Sequence, residues 1–100
     1  MPTMSADWLA PGAVVVGALT IDNEGIRFQS VIPNPARAIK LGINRIERVT
    51  LSPSLIGRAN AIEIAVRGGA PLFFLVADPG SCVLVLEQAI ALHGARTAYR

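Results

Sequence analysis

Residues 13–31 read AVVVGALTIDNEGIRFQSV, and this stretch decides the fold. A valine-rich run over 13–21 halts at Asp22-Asn23-Glu24-Gly25. Asp and Asn close turns through their side chains, and glycine takes positive φ without a steric penalty. Beyond the turn Ile26 and Phe28 alternate with Arg27 and Gln29, the two-residue period of a half-buried strand. The stretch therefore predicts a β-hairpin.

Working outward, the same period continues. Pro33-Asn34-Pro35 breaks any ladder, because proline has no N–H to donate. Residues 37–41 form a short strand with Ile39 and Leu41 inward and Lys40 outward. Gly42 turns the chain into a strand over 46–51, and the spacing of Ile43, Ile46 and Val49 allows one helical turn before it. Residues 52–60 are the longest loop. Ile62, Ile64 and Val66 face inward on a strand over 61–67, with Glu63 and Arg67 outward, and Gly68-Gly69 leads into an apolar strand over 72–77.

Asp78 then offers a helix N-cap and Pro79 fits the first helical position. The helix is expected to run to about His93 and stop at Gly94, burying Val83, Leu86, Ala89 and Ile90 while Glu87 and Gln88 face water. Residues 1–11 show no period and read as a loosely attached arm pinned by Trp8 and Leu9; 12–94 form the single domain, and 95–100 a basic tail. The expected fold is mainly β with one C-terminal helix: six or seven short antiparallel strands, as a small barrel or two packed sheets, capped by that helix.

Composition narrows the function. The chain of 100 residues is one domain's worth, 52% apolar and only 16% charged, against a usual quarter charged. That much apolar surface implies an exposed patch or a partner. The single Cys82 excludes an intramolecular disulfide and any multi-cysteine metal site, and fits a reducing compartment. The longest apolar stretch, 9–21, contains Pro11, Gly12 and Gly17 and falls short of the ~20 residues a membrane span needs. No basic leader precedes it. A cytoplasmic protein, at most peripheral at a membrane, is expected.

Catalytic constellations are missing. His93 is the only histidine, so neither a Ser-His-Asp set nor a two-histidine metal motif can be built. Cys82 falls in the first helical turn, where the dipole can activate a thiol, but a small apolar cysteine beside Val83 reads first as packing. The glycines match no phosphate-cradling loop. The chain is expected not to be an enzyme and to carry no cofactor or metal.

What remains are surfaces. Between residues 33 and 60, Arg37, Lys40, Arg45, Arg48 and Arg58 stand against Glu47 alone, a net of +4 in a chain of net +2. These bases are the candidate contact for an anionic surface, each contributing ~1 kcal/mol near an acidic membrane. Leu55 and Ile56 form a candidate apolar contact loop. Nucleic acid is not expected as a partner, because Phe28, Phe73 and Phe74 fall in strands rather than among exposed bases.

The run Gly17-Ala18-Leu19-Thr20, Gly25-Ile26-Arg27-Phe28, Ile39-Lys40-Leu41 and Ile46-Glu47-Arg48-Val49, followed by an apolar hairpin and a helix, resembles GRAM domains of the pleckstrin-homology superfold. The resemblance spans residues 12–92. It implies a small helix-capped barrel and a non-catalytic interaction module that binds a membrane surface or a protein partner. The Asp22-Asn23-Glu24 turn stands where inositide-binding members place bases, so the expected contact is unselective among anionic headgroups. The alternative is a homo-oligomeric structural or accessory protein without a ligand of its own.

Overall fold

The computed structural model describes residues 3–31, 37–51 and 61–98. Seven strands precede one helix: β1 (Thr3–Ala10), β2 (Ala13–Asp22), β3 (Gly25–Ser30), β4 (Ala38–Gly42), a 3-10 turn (Ile43–Arg45), β5 (Ile46–Leu51), β6 (Ala61–Val66), β7 (Leu72–Val76) and α1 (Pro79–Ala98). They pair in the order β4-β3-β2-β1-β7-β6-β5, every neighbour antiparallel. Two meanders, β1–β4 and β5–β7, meet through a short ladder in which Ala6, Asp7 and Trp8 oppose Val76, Leu75 and Phe74. The result is a curled half-barrel with one C-terminal helix, the fold class read from the sequence.

The 13–31 hairpin forms as expected. Asp22 opposes Gly25 at its tip. Asp22 Oδ1 accepts the Glu24 N–H at 2.8 Å, and Gly25 adopts φ 138°. The 3-10 turn stands where the spacing of three placed a helical turn.

Residues 3–11 are not a loose arm. Thr3–Ala10 is a strand lying between β2 and β7, so it joins the two halves of the sheet. Met4, Ala6, Trp8 and Ala10 face the core in alternation, and Pro11-Gly12, with Gly12 at φ 77°, closes a two-residue turn into β2. The period was masked because two of its four inward residues are alanines, which carry little hydrophobic signal and poor strand propensity. This strand also moves the domain start to the N-terminal side of residue 12.

The helix likewise exceeds its expected end. It passes through Gly94 to Ala98, taking in part of the 95–100 tail. A Cβ at Gly94 would meet no neighbouring atom, and the helix runs on past it; a glycine inside a helix costs only about 1 kcal/mol. At the other end the cap is as read. Asp78 Oδ1 accepts the Ser81 N–H at 3.2 Å, and Oδ2 accepts its hydroxyl at 2.8 Å. These two bonds hold the Asp78 carboxyl below its ordinary range.

The inner face is one continuous core. Leu19, Ile21, Ile26, Phe28, Ile46, Ile62, Ile64, Phe74 and Leu86 are fully buried in it, with Ile39 and Ile90 packed at its margin. Phe28 is the hub, its ring centroid 5.5 Å from that of Phe74 and 6.2 Å from that of Trp8. Helix α1 packs chiefly against β5 and the 3-10 turn, and also reaches β2, β6 and β7.

Candidate functional site

The 3-10 turn carries the chain from β4 to β5, which are opposite edges of the sheet. Two backbone bonds fix what this crossing brings together. The Ile43 N–H donates to the Glu24 carbonyl at 2.7 Å, tying the crossing to the β2–β3 turn. The Arg67 N–H donates to the Arg45 carbonyl at 2.7 Å, tying it to the end of β6. The Arg45 guanidinium returns a bond to the Arg67 carbonyl at 3.4 Å. Arg45 and Arg67, both exposed, are thus neighbours at one corner of the half-barrel.

Lys40 lies on β4, the strand that leads into the 3-10 turn. It points outward from β4 opposite Arg27 on β3. Five residues of chain separate it from Arg45, a span of at most ~18 Å. Arg27 is itself held by Asp22, Nη2 to Oδ2 at 3.2 Å. Arg48 is exposed on the outer face of β5 beside Ala65, three residues past Arg45. Arg37 immediately precedes β4, and its N–H donates to Ser30 Oγ at 2.9 Å. Arg58, Leu55 and Ile56 lie outside the described residues.

The structure therefore joins Arg45 to Arg67 and pairs Lys40 with Arg27, with Arg48 on the outer face of β5 and Arg37 just before β4. It adds two bases that the sequence reading did not group with them, Arg27 and Arg67. Only the cross-strand register could have found these, since each is outside the 33–60 segment and reaches the corner through pairing.

Two concavities are lined in part by α1. One, of about 740 Å³, lies between the β2–β3 turn and the helix, with Ile21, Val85, Ala89 and Leu92 facing Asp22 and Glu24. The other, of about 440 Å³, is bounded by Ile43, Asn44, Arg67, Ile90 and His93. Leu92 is 43% exposed and lines the first concavity together with Arg27, Asp22 and Glu24.

Chemistry at Cys82 is opposed by its surroundings. The side chain is buried against the core, and burial, followed by the Asp78 charge, pushes the thiol up to about 11. Those two effects outweigh the helix N-terminus that sequence position alone suggested as an activator. Among the described residues no group of three or more His, Cys, Asp or Glu could hold a metal ion. No helix among them is long and apolar enough to cross a membrane.

No family model matches the chain, and no curated protein does. Among solved structures it is similar to the C-terminal domain of an unknown protein from Leishmania infantum, at 20% identity and a TM-score of 0.76, over 91% of this chain and 83% of that one. At that identity the likeness establishes the fold and nothing of function.

Proposed function

We propose that the protein is a non-catalytic interaction module that docks on an anionic membrane surface through the corner built by the 3-10 turn. The observation that carries this reading is the backbone-fixed meeting of Arg45 and Arg67, with Lys40 and Arg27 on the adjoining strands. Bases held on rigid elements present their charge without a large entropy cost on contact, and Leu92, which shares a concavity with Arg27, offers an exposed apolar group. The resemblance to GRAM domains supports the same kind of role. The acidic Asp22 and Glu24 at the edge of the corner argue against selection of one highly charged headgroup. Their charge offsets part of the basic field where such a headgroup would have to sit.

Vesicle sedimentation tests the proposal. Anionic vesicles should carry the protein down at about 50 mM salt and release most of it at about 500 mM, as the Debye length shortens well below ~10 Å. Neutral vesicles should not bind it. The double change Arg45→Glu, Arg67→Glu should abolish binding while leaving the far-UV circular dichroism unchanged. Binding that survives this reversal, or no binding to anionic vesicles at low salt, refutes the reading.

A further inference from the structure

The outer face of the β1–β4 meander departs from what a water-facing antiparallel sheet needs. Such a face is ordinarily polar, because only the other face packs on the core. Here Val14, Val16 and Val31 are 61%, 48% and 64% exposed. Val14 stands opposite Leu9, and the Val31 N–H donates to the Val16 carbonyl at 3.0 Å, which sets those two valines side by side. The face is also graded. Next to the valine row come Ala18 and Gln29, then Thr20 opposite Arg27, with Lys40 beyond Arg27 and Thr3 beyond Thr20. Thr3 and Thr20 are joined through their hydroxyls at 3.1 Å.

We propose that this face binds a second copy of the chain, as a two-fold dimer of stacked sheets whose axis runs along the strands between β2 and β3. The reading rests on the valine row rather than on Arg45 and Arg67, and it shares Arg27 and Lys40 with the cationic corner. A two-fold contact presents the same patch from both sides, so the patch must complement itself. An axis in this position lays each copy's β2 over the partner copy's β3 at the same level. Each valine row then meets the valine row of the other copy, Val16 over Val31, across the ~10 Å that separates packed sheets. Further along, Arg27 meets Thr20 and Lys40 meets Thr3, so no base faces a base. A lipid surface suits the face less well, since Asp7 points out of it from β1, opposite Val16. The aligned stacking of twisted sheets, about 30° apart, keeps these levels matched near the axis, where Val16 and Val31 sit.

Light scattering on the purified chain should give twice its 10.5 kDa mass, falling toward the single mass only on dilution. Val16→Asp alone and Val31→Lys alone should each give the single mass with unchanged circular dichroism, because both side chains are exposed in the isolated fold. An equimolar mixture of V16D and V31K chains should recover the doubled mass, since one opposed pair becomes acid over base and the other stays valine over valine. Should V16D fold poorly, Val31→Lys and Val31→Asp, which lie just past β3, should each give the single mass, and their mixture should stay single because each charge faces Val16 rather than the other. A single mass at all concentrations overturns the proposal, as does a dimer that survives either single change. So does a mixture of V16D and V31K that stays monomeric, because it breaks the assigned facing of Val16 and Val31.

Discussion

Gly17→Ala is expected to destabilise the fold by roughly 1–2 kcal/mol, although an alanine normally helps a strand. Gly17 faces inward on β2 opposite Ser30. Its conformation is open to any residue, so only space decides the outcome. A Cβ there would lie 2.6 Å from Phe28 Cζ and 2.9 Å from Cε1, and would run into the Gln29 carbonyl. The ring has little freedom to retreat, being packed against Trp8 and Phe74. The carbonyl has less, since it belongs to the backbone of β3. Overpacking of this kind costs ~1–3 kcal/mol, while reduced freedom of the unfolded chain returns ~0.4–1 kcal/mol. The difference lowers Tm by about 4–16 °C, at ~4–8 °C per kcal/mol for a domain of this size. Thermal unfolding followed by circular dichroism measures it. In a Phe28→Leu background, itself less stable for loss of the buried ring, Gly17→Ala should cost less but not nothing, because the ring is gone and the Gln29 carbonyl remains. A Tm unchanged or raised by Gly17→Ala would refute the claimed β2–β3 register and the position of the Phe28 ring.

Leu86→Ala should cost about 2–5 kcal/mol in urea unfolding, since the side chain is fully buried where α1 meets the sheet; an unchanged midpoint would mean the helix does not pack there. Cys82 predicts an alkaline limb. Its thiol is raised from 9.0 to about 11 by burial and then by Asp78. A raised pKa favours the fold fully below the unfolded value, and that contribution is lost as pH climbs through the folded one. Stability should therefore fall between about pH 9 and 11, and Cys82→Ala should flatten that part of the profile; equal slopes in both proteins would remove Cys82 as the cause.

The legible parts of the fold were those written in adjacent residues. The Asp22–Gly25 turn, the alternation of Ile62, Ile64 and Val66, and the Asp78-Pro79 cap all act within a few positions, and each formed as read. The central strand β1 was not legible in the same way. Its inward positions are small because large residues elsewhere occupy the space. Ala6 lies opposite Gly17 in the β1–β2 ladder, and Phe28 reaches across that glycine to its aromatic partners. A strand whose partners supply the bulk leaves almost no hydrophobic period of its own. The end of α1 escaped for a related reason. Gly94 is a stop signal only where the chain must turn, and nothing packed near it enforces a turn.

The site shows the same limit more sharply. A run of bases in sequence becomes a surface only if strand parity and chain crossings let it. Arg37 and Lys40 share β4 and its approach, yet the bond from the Arg37 N–H to Ser30 anchors one at the strand's start while the other points outward near its end. Arg45 and Arg48 sit on either side of the irregularity in β5, where the register shifts between Ile46 and Arg48. Without that shift Arg48 would move by one position relative to β6, and a slip of one residue sends a side chain to the opposite face. The bulge thus keeps Arg48 on the outer side. Arg67 joins the group only because its N–H closes on the Arg45 carbonyl, a contact 22 residues long in sequence. The charge of the corner is therefore a property of the crossing from β4 to β5. A change that displaces the 3-10 turn, such as a bulkier residue at Gly25 pressing on the Leu41 carbonyl and the Ile43 nitrogen, would scatter these bases without altering a single one of them.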